Sequence, residues 1–356
     1  MKTNRIVYVD VIKVFLTCLV VAHHAGQAYG PTGGVWVVSD AAKTDWLEQF
    51  FFINASYMMG LYFFISGYFM VFSLNRKTNA QFVKDRFVRL GIPLLIFTFF
   101  IFLPFNYLST KGDTSVVSFF IDTYFNKPPI ATGHLWFVAS LLVYSFIYLL
   151  AFRTKTGVHE TTAQKPFKTY YLFVYIILLT IISAFVRLKY PIDVWRTWLI
   201  PVEVAHIPQY LSLFLIGALF NRFQWLDTFK LSTGLVFFVL AVIGYLLNEI
   251  LPDAIENYWL TESFVESILC VGISMTLLTF FRYYGNRTNA FISSLSDNAY
   301  GIYLFHLLIV IALQKVLLDW NLDANIKFMI VSVSSILLSL GLSVLLRKSN
   351  WVRKVL

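Results

Sequence analysis

The first apolar segment of the chain, residues 7–27, carries four ionisable side chains: Asp10, Lys13, His23 and His24. Ionisable groups inside a membrane span are costly and are tolerated mainly where they line a protein interior or a polar cavity. Lys13 and His24 are eleven residues apart, close to three helical turns, so they share one helix face roughly 16 Å apart along the axis. One face thus offers a cation near one membrane surface and a titratable base near the other. The pattern indicates chemistry conducted across a bilayer.

Other reactive side chains are predicted near the same membrane surface as His24. They are His23, His134, Glu203 and His206. Histidine titrates near neutrality and is the usual general base, and a carboxylate such as Glu203 could orient one imidazole and stabilise its protonated form. We therefore predict His24 as the catalytic base, with Glu203 and His134 as assisting catalytic groups. For His134 and His206 a purely hydrogen-bonding or snorkelling role stays open.

The opposite surface is predicted to carry an anion-binding constellation. The run NRKTNAQFVKDRFVRLGIP, between the second and third apolar segments, holds five basic residues. Arg86 and Arg89 lie three apart and share a helix face, and guanidinium forks suit phosphate oxygens. Ordinary decoration of a cytoplasmic loop explains Arg76 and Lys77 well, and explains Arg89, beside an apolar stretch, less well. No GxGxxG or Walker loop occurs, so a nucleotide bound by a P-loop is not indicated.

The elements that must position these groups are membrane helices. The 356 residues are 58% hydrophobic and 13% charged, whereas soluble domains carry about 25% charged residues. Ten apolar segments are long enough to span a core of roughly 30 Å, near residues 7–27, 50–73, 90–109, 133–152, 170–187, 207–221, 231–250, 262–281, 298–316 and 326–346. No repeat or long linker divides the chain. We predict an all-α polytopic bundle in which residues 1–356 form a single transmembrane domain with no extra soluble domain.

The charge distribution predicts the topology. Lys and Arg concentrate in the loops on the N-terminal side of the membrane, which places both termini in the cytoplasm. The net charge of +9 follows from this asymmetry and from attraction to anionic lipid headgroups, and its spread over short loops does not favour nucleic-acid binding. An alternative reading of the N-terminus as a signal peptide is disfavoured because Asp10 and Lys13 interrupt the apolar run.

Cysteine and histidine spacing points to neither a disulfide framework nor a metal site. Cys18 and Cys270 both fall in predicted spans, where they are expected to be buried apolar residues and not a disulfide framework. The histidines show no HExxH or comparable spacing, so no metal is predicted.

The joint order of several motifs resembles acyltransferase family 3, a family of integral membrane acyltransferases that are mostly O-acetyltransferases of bacterial surface glycans. Its hallmark is an arginine followed after ten residues by a histidine in the first helix, often with an aspartate three residues before the arginine. Asp10 and His24 fit that spacing, and Lys13 stands where the family usually has arginine, which keeps the charge but loses the planar fork. Similar segments cover nearly the whole chain: FFISGYF (63–69), RFVRLGIP (86–93), HLWFVASLL (134–142), PQYLSLFLIGALFNRFQWL (208–226) and YGIYLFH (300–306).

The resemblance implies transfer of an acyl group, acetyl in particular, from cytoplasmic acyl-coenzyme A to a hydroxyl of a glycan or glycolipid. The acceptor would be presented at the outer face of a bacterial inner membrane. The resemblance also implies that the histidine of the first helix is essential and that the arginines of the third engage the coenzyme. The residues that we assign to the donor site are Lys13, Arg86, Arg89, Tyr303 and His306. Relatives often add a hydrolase-like domain, and this chain is expected to be a stand-alone version.

Other interpretations stay open at this point. A transporter or flippase of a lipid-linked or polar substrate would also have polar helix faces, although the inverted repeats of many transporters are not seen. A membrane sensor without catalysis is a third reading. His306 could simply bond a neighbouring helix. Trp36, Trp195 and Trp198 could stack on sugar rings, and the sequence favours an interfacial aromatic belt for them. The sequence leaves the acceptor, the acyl chain length and the oligomeric state open.

Overall fold

Helices form nearly all of the described chain. The computed structural model describes residues 6–32, 36–104, 107, 115–122, 132–152, 167–197, 201–250 and 258–356. The α-helices are α1 (Val7–Gly26), α2 (Trp46–Leu74), α3 (Asn79–Arg86), α4 (Ile92–Ile96), α5 (Val116–Ile121), α6 (Trp136–Ala151), α7 (Tyr170–Arg187), α8 (Ile207–Phe223), α9 (Leu231–Ile250), α10 (Tyr258–Tyr284), α11 (Ala290–Leu317), α12 (Ala324–Leu346) and α13 (Val352–Val355). An antiparallel hairpin pairs β1 (Trp195–Thr197) with β2 (Pro201–Glu203).

Within the described ranges, nine helices are long and apolar enough to cross a membrane. They are α1, α2, α6 to α12, and they confirm the predicted all-α polytopic bundle and nine of its ten predicted segments. The segment predicted at 90–109 is helical as far as residue 104, and most of its remainder lies outside the described residues. The cytoplasmic position of both termini stays a prediction.

The chain from Phe87 to Phe102 alternates between π-helical and α-helical turns, with π-turns at Phe87–Gly91 and Phe97–Phe102 on either side of α4. Pro93, in the first turn of α4, has no N–H to offer to the carbonyl of Arg89. The hydroxyl of Tyr300 on α11 donates to that carbonyl over 2.7 Å. Arg89 is thereby tied to α11 through its backbone.

The centre of the bundle is built on a close crossing of α2 and α8. A Cβ on Gly67 would lie 1.9 Å from the carbonyl oxygen of Phe214, and a Cβ on Gly217 would lie 2.0 Å from that of Phe64. Only glycine allows two backbones to approach so closely at both positions. The α2 helix that carries the FFISGYF motif is accordingly the most buried of the nine.

The periphery differs from the centre in what its side chains contact. The least buried spanning helices are α9 and α12, and their outward positions carry large exposed apolar residues such as Leu235, Phe238 and Leu338. Such faces suit a lipid environment. We call the end of the bundle where α1 finishes the His24 end, and the end where α3 begins the Arg89 end.

Candidate active site

Three histidines from distant parts of the chain meet at the His24 end. The ring centroids of His134 and His306 are 4.8 Å apart, those of His24 and His306 are 5.1 Å apart, and those of His24 and His134 are 6.5 Å apart. His134 and His306 are buried, and His24 is partly buried. The structure thus brings two of the predicted catalytic residues together and adds a predicted donor-site residue to them. We call these three side chains the histidine cluster.

The three histidines of the cluster lie on three different elements. His24 lies in the last turn of α1 and His306 in the middle of α11. His134 lies in a 3₁₀ turn just before α6, and this turn begins at Gly133 with a φ of 53°, a left-handed conformation that glycine adopts without a steric penalty. The GHLW tetrapeptide therefore turns sharply into its helix and places the imidazole against α11.

The hydrogen bonds of the cluster determine where its protons lie. Nδ1 of His24 is 2.9 Å from the carbonyl oxygen of Val20 and 3.2 Å from Nε2 of His306. Nδ1 of His306 is 2.7 Å from the carbonyl oxygen of Tyr303. Because a carbonyl only accepts, both Nδ1 atoms carry protons, and Nε2 of His306 accepts from His24. In a neutral His24 the lone pair is therefore on Nε2, ready to accept a proton.

His134 is the least satisfied member of the cluster. Its backbone carbonyl accepts a hydrogen bond from the hydroxyl of Tyr303. Neither of its ring nitrogens makes a well-formed hydrogen bond within the described part of the chain, although both are buried. A buried polar group without a well-formed hydrogen bond is costly, so this imidazole would gain from a hydrogen bond to a ligand.

The segment between α1 and α2 packs beside the cluster and is anchored by a buried ion pair. Nζ of Lys327, in the first turn of α12, lies 2.7 Å from Oδ2 of Asp40, and both side chains are almost fully buried. The backbone N–H of Asp40 also donates to the carbonyl of Ala28 over 3.1 Å. Trp36 in the same segment lies with its ring 5.7 Å from that of His24.

Lys13 lies on the same helix as His24, closer to the Arg89 end. Its ammonium pairs with Asp10 over 2.5 Å and lies 5.2 Å from the ring centroid of Phe69, the last residue of the FFISGYF motif. The hydroxyl of Tyr62 donates to the carbonyl of Lys13 over 3.2 Å. Two of the quoted motifs are therefore in direct contact, and the predicted shared helix face of Lys13 and His24 lies on one uninterrupted helix.

Arg86 and Arg89 stand at the Arg89 end without an ion pair among the described residues. Asp85 pairs with Lys77 instead, and the Arg86 guanidinium lies 5.0 Å from the ring centroid of Phe82. Burial and the neighbouring charge of Arg89 lower the pKa of Arg86 to about 10, so it stays protonated at neutral pH. Two neighbouring guanidinium groups without an ion pair among the described residues suit an anion such as a phosphate.

Glu203 belongs to a different site, a buried charge network at the His24 end. Its Oε2 lies 3.1 Å from Nδ1 of His206, and Nε2 of His206 lies 3.0 Å from Oε1 of Glu266. Arg187 donates to the other oxygen of Glu266. The His206 ring stacks on Tyr210, which stacks on Trp136. The structure thus shows Glu203 beside His206 and not in contact with His24, and its catalytic role stays a prediction.

The electrostatics of this network are clearest at Glu203, which lies outside the spanning helices. Burial raises the pKa of the Glu203 carboxyl, but the hydrogen bond and charge of His206 and the N–H of Asp193 outweigh it and hold this pKa below its ordinary value. Sequence reasoning missed Glu266 and Arg187 as partners. The available signal was the pair of carboxylates Glu262 and Glu266, four residues apart at the start of an apolar span, where unpaired charge is not tolerated.

The state of the two cysteines and the possible metal ligands can be read from the described residues. Cys18 and Cys270 are both free. Within the described ranges no set of three His, Cys, Asp or Glu side chains is arranged to ligate a metal ion.

The chain was compared with known protein families, curated proteins and solved structures. A family model described as an acyltransferase domain, that of acyltransferase family 3, matches residues 6–348. The chain is 25% identical over 316 residues to the glucans biosynthesis protein C of Escherichia coli O81 (strain ED1a), and 26% identical to that of Escherichia coli O1:K1 / APEC. Each alignment covers 85% of this chain and 81% of the relative. No solved structure matches significantly.

The spanning helices and the family match together define a membrane-embedded acyltransferase. The chain belongs to acyltransferase family 3, whose model covers nearly all of it. The sequence-based resemblance is therefore confirmed. The assignments of Lys13, Tyr303 and His306 to the donor site stay predictions, and the structure places the last of these in hydrogen-bond contact with His24.

Proposed function

We propose that the protein transfers an acyl group, acetyl in the simplest case, from acyl-coenzyme A to a hydroxyl of a glycan or glycolipid. The observation that carries this proposal is that Nδ1 of His24 contacts both the carbonyl oxygen of Val20 and Nε2 of His306, which leaves the lone pair of a neutral His24 on Nε2. A base held in one tautomer inside a largely buried cluster suits proton abstraction from a hydroxyl.

The reaction that this geometry supports begins with a proton transfer. Nε2 of His24 takes the hydroxyl proton while the acceptor oxygen attacks the thioester carbonyl carbon. The carbon–sulfur bond breaks, the coenzyme A thiolate leaves, and the imidazolium returns the proton to sulfur. His134, whose ring contacts those of His24 and His306, would donate a hydrogen bond to the oxyanion that forms on the carbonyl oxygen.

The donor is proposed to bind at the Arg89 end. Arg86 and Arg89 would hold phosphates of the coenzyme, and Lys13, about 16 Å from His24 along α1, would lie along the path of its pantetheine arm. The acceptor would then reach His24 from the other end. With the Arg89 end in the cytoplasm of a bacterial cell, this arrangement delivers the acyl group across the inner membrane.

The acceptor is proposed to be a glucan. The support is the similarity to the glucans biosynthesis proteins C of Escherichia coli and the aromatic side chains that surround the His24 end, such as Trp36, Trp136 and Trp195.

The test separates the two substrates with a membrane. The purified protein is reconstituted in vesicles with labelled acetyl-coenzyme A outside and a glucan oligosaccharide either enclosed or outside. We expect acetylated oligosaccharide only when it is enclosed, because donor and acceptor then occupy opposite sides. Movement of unmodified oligosaccharide across the membrane would instead favour the flippase, and an absence of both would contradict the proposal.

The donor site makes a separate prediction. Exchanging Arg86 and Arg89 together for glutamine is expected to raise the KM for acetyl-coenzyme A at least about tenfold, because a hydrogen bond to a charged group is worth about 1.5–3 kcal/mol and 1.4 kcal/mol is a factor of ten. The measurement is initial rate against donor concentration at saturating acceptor. A matched control exchanges Arg76 and Lys84, two exposed basic residues of the same region. Equal donor KM values for both double variants would contradict the assignment.

A further inference from the structure

Trp36 lies beside the proposed base without a hydrogen bond to its imidazole ring. Its ring centroid is 5.7 Å from that of His24, with 37° between the two planes. Trp36 is half-buried, so it keeps some exposed surface near the base. This ring is therefore within reach of any molecule whose hydroxyl contacts His24.

A buried glutamine fixes the orientation of the indole. Nε1 of Trp36 donates to Oε1 of Gln314 over 2.8 Å. The amide nitrogen of Gln314 in turn donates to the carbonyls of His24 and Ala25 over 3.2 and 3.0 Å, and the side chain has no exposed surface. Because the carbonyls can only accept, the amide has one orientation. Gln314 thus couples the indole directly to the helix turn that carries the base.

The segment that carries Trp36 is held by contacts of residues that follow it in the chain. After Trp36, Asp40 forms the buried pair with Lys327, and the ammonium of Lys43 donates to the carbonyl of Ala28 over 2.9 Å. The N–H of Thr44 donates to the carbonyl of Tyr29 over 2.9 Å. The ring is therefore held in place before any ligand arrives, which reduces the entropic cost of binding.

Trp46, a second tryptophan at the His24 end, has the features expected of an interfacial aromatic residue. Trp46 is 47% exposed and its Nε1 donates to Oδ1 of Asn325 over 2.7 Å, at the surface of the bundle. Its hydrogen bond is exposed, as expected of an aromatic belt. The Trp36 N–H instead bonds to a fully buried amide that also holds the His24 backbone. This difference favours a site role for Trp36 over the belt.

We propose that Trp36 is an acceptor-positioning residue whose ring stacks on a pyranose ring of the glycan, with Gln314 holding it in register with His24. The apolar C–H face of a sugar suits an aromatic face, and the hydroxyls at its rim are then presented sideways. This inference rests on the proposed function, and it names the residue that would select a sugar over other hydroxyl compounds.

The kinetic test compares substrate-specific constants in the reconstituted protein. W36A is expected to raise the KM for a glucan oligosaccharide about tenfold, which corresponds to about 1.4 kcal/mol, and to leave the KM for acetyl-coenzyme A unchanged. W36F keeps a ring and is expected to lie between wild type and W36A. Q314M, which removes the donor and the acceptor, is expected to follow W36A if its melting temperature shows a folded protein. W46A is the matched control and is expected to resemble wild type.

A binding measurement separates this inference from the proposed function. Tryptophan fluorescence of the protein is titrated with glucan oligosaccharide in the absence of acyl-coenzyme A. A saturable change is expected for wild type and W46A and not for W36A. If wild type binds oligosaccharide through Trp36 but transfers no acyl group, the acyltransfer proposal fails and the inference stands. An unchanged acceptor KM and an unchanged titration in folded W36A would overturn it.

Discussion

Replacing His24 with alanine is expected to lower acyl transfer about 10²–10⁴-fold, the range that a positioned general base contributes. The loss should appear in kcat at saturating donor and acceptor, because the lone pair on Nε2 acts on the reacting hydroxyl and not on either substrate's binding groups. His24→Asn keeps a donor near the position of Nδ1, toward the carbonyl of Val20, but has no base. It should therefore fold like wild type and still lose transfer.

The neighbouring positions supply the controls for this prediction. The His23 ring lies 5.9 Å from that of His24 and packs against Phe50 and Phe51, but it makes no hydrogen bond to the His24 ring, so His23→Ala should retain ordinary turnover. His306→Phe removes one of the two acceptors that fix the His24 tautomer and is expected to lower kcat about tenfold, the value of one hydrogen bond. His306→Gln restores an acceptor and should recover part of that loss. Ordinary turnover in folded His24→Ala would refute the assignment of the base.

Replacing Lys327 with methionine is expected to lower the free energy of unfolding by about 3–5 kcal/mol, because it leaves the buried carboxylate of Asp40 without its partner. The pair has almost no solvent access on either side, so water cannot replace the lost ammonium. Thermal unfolding in detergent, followed by fluorescence, measures the effect. Transfer activity should fall at temperatures where the segment carrying Trp36 detaches.

The control for this prediction is a double variant. Asp40→Asn combined with Lys327→Met removes both charges and should recover much of the lost stability, because the cost arises from the unpaired charge and not from the missing bridge. Lys348→Met at an exposed position should leave unfolding unchanged. A single variant as stable as wild type would show that Asp40 finds another partner.

Helix positions could be predicted from the sequence because local patterns encode them, whereas the catalytic and donor-site roles of the named residues stay predictions. The apolar run of α1, interrupted by Asp10 and Lys13, identified His24 as a residue on a polar helix face, and the order of motifs identified the family. Counting Lys and Arg residues also grouped the basic loops on one side of the membrane, together with both termini. That this side is the cytoplasm stays a prediction.

Contacts between distant segments could not be predicted, since one sequence contains no record of them. Trp36 and Gln314 are 278 residues apart, and Arg187 and Glu266 are 79 apart. Glu203 was predicted to assist His24 because both lie near one surface, but proximity to a surface does not fix which partner a side chain meets. In the structure, Glu203 contacts His206 and His24 contacts His306.

The α11 helix holds three segments of the proposed site at fixed distances from one another. Tyr300 holds the carbonyl of Arg89, Tyr303 holds the carbonyl of His134, and His306 holds the ring of His24, in steps of three residues or about 4.5 Å of helix rise. Sliding this helix would disturb all three attachments together. The distance between Arg89 and His24 therefore cannot be changed by sliding this helix alone. A preference for one acyl length over another must then be set by the size of the side chains that line the space between them.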